Sequence, residues 1–89
     1  MPEKKLTITH PLGLHARPAS IFVRAAAKFK CNITITHGAR TSSAKSILGV
    51  LSLGVQKDSE VILKTEGEDA DVALQSLEEL IKEDFGDAK

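Results

Sequence analysis

Aromatic side chains are scarce in this chain: three phenylalanines, no tyrosine and no tryptophan among 89 residues. A core therefore has to be mostly aliphatic. The stacking platforms on which binders of single-stranded nucleic acid rely are missing, so no nucleic-acid partner is expected. One cysteine, Cys31, excludes an internal disulfide and a cysteine-based metal site; it fits a reducing cytoplasm and reads as a small strand residue. No cluster of His, Cys, Asp and Glu has metal-ligand spacing, and no nucleotide-binding loop or general acid accompanies the histidines. Neither a metal, a cofactor nor a self-sufficient enzyme is expected. No apolar run approaches the roughly 20 residues of a membrane span, and the opening Met-Pro-Glu-Lys-Lys lacks the apolar stretch of a signal peptide. These absences predict a soluble, cytoplasmic protein without membrane insertion, with residues 1–89 forming one domain.

Acid is also missing from more than fifty consecutive residues. From Lys4 to Lys57 there are nine Lys and Arg residues (Lys4, Lys5, Arg17, Arg24, Lys28, Lys30, Arg40, Lys45 and Lys57) and no Asp or Glu; from Asp58 to Lys89 there are eleven acidic residues against three lysines. The formal net charge is zero. The first half nevertheless presents a positive field that attracts anions or acidic proteins.

Periodicity gives the elements. Residues 4–9 alternate, with Leu6 and Ile8 on one face, and predict a strand; His10, Pro11 and Gly13 break it. From Ala16 to about Lys28, Ala19, Phe22, Val23, Ala26 and Phe29 recur at helical spacing, with Pro18 tolerated in the first turn. Arg17, Ser20, Ile21, Arg24 and Lys28 form a basic ridge on another face. Residues 31–36 and 40–44 read as a hairpin turning at His37-Gly38-Ala39-Arg40. Residues 46–53 suggest a short helix capped by Ser46, with Val50 and Leu53 inward and Ile47, Leu48 and Leu51 partly exposed. Residues 60–66 form a strand. Residues 70–85 form a last helix, capped by Asp69, with Asp71 in its first turn and Gly86 after its end. The order βαββαβα, with one apolar face per strand, predicts an α+β fold: a two-layer sandwich of a four-stranded antiparallel sheet with three helices on one face.

The chemistry concentrates at Gly13-Leu14-His15-Ala16-Arg17-Pro18-Ala19. A helix start favours acidic side chains, because its N–H groups carry partial positive charge; here a histidine and an arginine stand instead. Such an N-terminus is an anion site. An anion on the His15 ring would reach the N–H groups of Ala16 and Arg17, and the Arg17 guanidinium suits phosphate oxygens. Gly13 frees the backbone that aims the imidazole outward. A largely neutral imidazole can attack a phosphoryl donor without a separate strong base. His10, at a strand end, and His37, at a turn, read as surface residues.

That motif, together with Lys45-Ser46-Ile47-Leu48-Gly49-Val50-Leu51-Ser52-Leu53-Gly54-Val55, resembles the HPr family, the histidine-containing phosphocarriers of the bacterial phosphoenolpyruvate:sugar phosphotransferase system. The resemblance covers essentially the whole chain and implies an open-faced sandwich with sheet order 1-4-2-3. It implies that His15 accepts a phosphoryl group on Nδ1 from phospho-Enzyme I and passes it to the A domains of sugar-specific enzymes II, with Arg17 stabilising the phosphate. It further implies that Ser46 is phosphorylated by an ATP-dependent HPr kinase, which turns the protein towards catabolite regulation. Partners are expected to dock on Ile47, Leu48 and Leu51 with Arg17, Ser20, Ile21, Arg24 and Lys45, an apolar patch rimmed by positive charge. A monomer is expected. Leu12 stands where many sugar-branch relatives carry a polar residue, and its arrangement also resembles the nitrogen-branch carrier. A nitrogen-branch carrier and a purely regulatory protein acting through Ser46 are the alternatives, while Ser46 and its neighbours favour the sugar and catabolite-control type.

Overall fold

The computed structural model describes residues 2–86. Its elements in chain order are β1 (Glu3–Thr7), α1 (Ala16–Ala26), β2 (Asn32–His37), β3 (Arg40–Ser43), α2 (Ile47–Ser52), β4 (Glu60–Glu66) and α3 (Ala70–Lys82), followed by a tight turn at Asp84–Gly86. The strands form one antiparallel sheet of order β1-β4-β2-β3. Alternation fixes its register: Leu6 faces Val61, Ile35 faces Leu63 and Ile33 faces Thr65 on the inner side, all buried. A slip of one residue would turn this row to solvent. On the open side, Lys5, Ile62 and Thr36 form one cross-strand row and Glu3, Lys64 and Thr34 another.

Three helices cover the inner face. Pro18, Ala19, Phe22 and Ala26 of α1, Val50 of α2, and Ala70, Ala73, Leu74, Leu77 and Ile81 of α3 close the core. The hairpin turns where expected, with Gly38 at φ 61°, the left-handed value that the first central residue of a two-residue hairpin needs. Among the described residues no helix is long and apolar enough to cross a membrane.

Several ends differ from the expected ones for local reasons. β1 stops at Thr7 because Ile8, although buried, exchanges backbone bonds with the turn at Asp58 and Ser59, where Asp58 takes φ 71°. α1 stops at Ala26 because the Lys28 and Phe29 amides reach back only three residues, to Ala25 and Ala26. α3 stops at Lys82 rather than 85: Asp84 and Phe85 adopt φ 53° and 63°. Left-handed backbone costs about 1–2 kcal/mol per non-glycine residue. Burial of the Phe85 side chain, worth roughly 3 kcal/mol, and a 2.6 Å hydrogen bond from Thr9 Oγ1 to Asp84 Oδ1 offset it.

Asp69 occupies the N-cap position of α3 but makes no side-chain cap bond. Its carboxylate instead accepts the N–H groups of Lys30 at 3.0 Å and Cys31 at 2.9 Å, tying the α1–β2 connection to the start of α3. The expected cap is a cross-link. These bonds hold the Asp69 carboxyl at about 2, the Lys30 amide contributing most and the Cys31 thiol next. Burial, and then the neighbouring carboxylate, push the Cys31 thiol up.

Candidate functional site

The segment from His10 to His15 links β1 to α1. The Gly13 N–H donates to the His10 carbonyl at 2.9 Å, closing a turn with Pro11 at its second position. Gly13 then takes φ 64° and lies hard against the segment after α2: a Cβ there would fall 2.5 Å from the Val55 oxygen and 2.6 Å from Gln56 Cα. Both are backbone atoms that cannot move aside, so glycine is required on steric and conformational grounds. The Leu14 N–H donates to the same Val55 carbonyl at 3.1 Å, and the Leu14 side chain is buried. The loop is thus anchored on both sides of Gly13.

His15 follows as the N-cap of α1 in extended conformation, exposed and without a side-chain cap bond. The first turn contains no acidic residue. Its N–H groups belong to Ala16 and Arg17, because Pro18 has none and the Ala19 N–H is taken by the His15 carbonyl at 2.8 Å. Ala16 and Arg17 are both exposed. His15, Ala16 and Arg17 thus follow one another at the exposed start of α1; a helix N-terminus of this kind favours anions.

His10 is not the surface residue that its position at a strand end suggested. Only 5% of it is exposed; its ring centroid lies 6.1 Å from that of Phe85, and its Nδ1 accepts the Leu12 N–H at 3.0 Å. The reason is non-local: the left-handed turn at Asp84–Phe85 brings an aromatic ring from the far end of the chain beneath the loop. A sequence signal existed in the spacing His10-Pro11-Leu12-Gly13, a turn whose first side chain can accept from the third residue's amide. His37 is likewise half-buried, its Nδ1 bonded to the Leu53 carbonyl at 2.8 Å. With Arg40 Nη1 donating to the Ser52 carbonyl at 2.9 Å, the hairpin turn satisfies the last carbonyls of α2.

α2 packs against α1 and β3. Ser46 is its N-cap, exposed, with Oγ accepting the Gly49 N–H at 3.1 Å. Gly49 lets the helix sit on the hairpin, since a Cβ there would collide with the Ser42 hydroxyl. Val50 and Leu53 point inward; Leu48 is 79% exposed, and Ile47 and Leu51 37% each. Leu12, 63% exposed, adds an outward apolar side chain on the loop before His15. On α1, Arg24 is exposed, while Ser20 and Ile21 are half-buried. Lys45, next to Ser46, is half-buried and its ammonium donates to the Phe29 carbonyl at 2.7 Å.

The family model described as "PTS HPr component phosphorylation site" matches residues 2–83. The chain is 38% identical over 87 residues to the phosphocarrier protein HPr of Xylella fastidiosa, covering 98% of each protein. It is 39% identical over 72 residues to that of Mycoplasma capricolum, covering 81% of each. The crystal structure of HPr-C-His from Thermoanaerobacter tengcongensis superposes with a TM-score of 0.95 at 40% identity, over the full length of both chains. A sheet of order 1-4-2-3 and these relatives agree: the chain belongs to the HPr family, the phosphocarriers of the phosphotransferase system.

Proposed function

We propose that His15 is the phosphoryl acceptor, taking the group from phospho-Enzyme I and giving it to the A domains of sugar-specific enzymes II during sugar uptake. The His15 Nδ1 lone pair attacks phosphorus, a P–N bond forms, and the donor leaves with the electrons of its own bond to phosphorus. The Ala16 N–H and the Arg17 guanidinium then hold the phosphoryl oxygens. The observation that carries this reading is the finish of α1: an exposed histidine in the cap position, bonded by its side chain to no first-turn amide, ahead of a turn without acid.

The chain acts as a stoichiometric carrier and a monomer. Its docking face comprises Ile47, Leu48 and Leu51 with Ser20, Ile21 and Arg24, beside Lys45; the exposure of three aliphatic side chains on one six-residue helix supports it. The acid-free stretch from Lys4 to Lys57 favours acidic partners. Ser46 is the regulatory site, phosphorylated by HPr kinase with ATP. Its hydroxyl is exposed, and a phosphate there adds about two negative charges next to the apolar docking residues.

Incubation with phosphoenolpyruvate and Enzyme I, read by intact mass, tests the acceptor. The expected result is a gain of one acid-labile phosphoryl group in wild type and none in His15→Ala. No gain in wild type, or equal gain in the variant, would overturn it.

A further inference from the structure

We propose that His10 is a positioning residue for phosphoryl transfer: its Nδ1, acting as an unprotonated acceptor, locks the turn that carries His15. The inference rests on the acceptor reading of His15 and extends it to a second histidine. Three amides lie between Pro11, which has none, and His15. Leu14 is satisfied by Val55, Gly13 by the His10 carbonyl, and Leu12 by the His10 ring. His10 alone therefore answers two of the three.

The two bonds differ in what they demand of residue 10. Its carbonyl can accept from Gly13 whatever the side chain. The Leu12 amide, at the third position of the turn, is reached by a side-chain acceptor two residues back, as in an Asx turn. An N–H only donates, so the 3.0 Å contact requires a lone pair on Nδ1 and places the proton of a neutral ring on Nε2. The ring is held for this task. It packs on Phe85, which meets Phe22 edge-on at 6.3 Å and 88°, and Phe22 is a buried residue of α1, the helix that His15 begins. Two of the chain's three phenylalanines thus connect the turn to the helix beneath the site. Releasing the Leu12 amide lets residues 12–14 depart from the path that aims His15. A displacement of about 1 Å at a reacting group can cost on the order of a hundredfold in rate.

Substitutions separate the two ring nitrogens. In His10→Asn the side-chain oxygen falls where Nδ1 lies; in His10→Gln it falls near Nε2; His10→Phe keeps the ring and removes the acceptor. The readouts are the rate of phosphoryl transfer from phospho-Enzyme I to His15, hydrogen exchange at the Leu12 amide, and the His10 tautomer in wild type by long-range 1H–15N NMR at pH 8. We expect His10→Phe and His10→Gln to slow transfer roughly tenfold and expose the Leu12 amide, and His10→Asn to restore both. In wild type, Nδ1 is expected unprotonated. A wild type that carries its proton on Nδ1, or a His10→Phe protein that keeps pace with wild type, overturns this inference alone. A wild type that takes no phosphoryl group at His15 overturns the acceptor reading and this inference with it. The tautomer is read without any substitution, so a poorly folded variant leaves the test intact.

Discussion

Helices α1 and α2 pack against one another, yet their N-termini are finished in opposite ways. α2 is closed: Ser46 Oγ takes the Gly49 amide, as a six-residue helix with little intrinsic stability requires. α1 is finished with an imidazole that caps nothing, no first-turn acid and an exposed arginine. A good cap contributes about 1 kcal/mol. α1 forgoes that contribution and relies on burying Pro18, Ala19, Phe22 and Ala26. In the proposed function the open finish of α1 is the one that receives a phosphoryl group, whereas the Ser46 cap of α2 holds its helix until it is itself modified.

Giving α1 the finish of α2 changes the molecule most. His15→Ser supplies a capping hydroxyl, so phosphoryl uptake should vanish while stability rises by up to about 1 kcal/mol, a gain of roughly 4–8 °C in melting temperature for a domain of this size. Mass spectrometry and calorimetry on one preparation read both. A variant that loses uptake and also melts lower would show that His15 supports the fold. The converse change is smaller: Ser46→Ala should cost about 1 kcal/mol and leave labelling of His15 in place, as measured by denaturant unfolding and intact mass.

The start of α3 is finished in a third way. Asp69 spends its carboxylate on Lys30 and Cys31 rather than on α3. Its folded pKa of about 2 lies below the ordinary value of 3.8, so its contribution is complete above that value and fades as the pH falls towards 2. Asp69→Asn should lower stability at pH 7 and flatten the acid-unfolding curve below pH 4. An unchanged acid limb would contradict the cross-link.

The parts legible in the sequence were those governed by short-range periodicity. β4 ends where its alternation ends, α1 begins at Ala16, and Val50 separates inward from Leu48 on α2 as spacing dictates. Local pattern misses the roles of Asp69 and His10 because each meets a distant part of the chain, Asp69 by hydrogen bonds to Lys30 and Cys31 and His10 by its ring contact with Phe85. A cap and a cross-link have the same local sequence, and nothing near His10 announces that Phe85 will lie against it. Phe85 itself depends on two consecutive left-handed residues that no helical pattern foretells.

In the proposed function the N-terminal amides of α1 serve the phosphoryl group, while the Gly49 amide of α2 serves the fold. Amide 1H–15N spectra recorded before and after transfer from phospho-Enzyme I test it directly. Large displacements are expected at Ala16 and Arg17, with Gly49 stationary. A phosphoryl group on His15 that leaves the Ala16 amide where it was would contradict it.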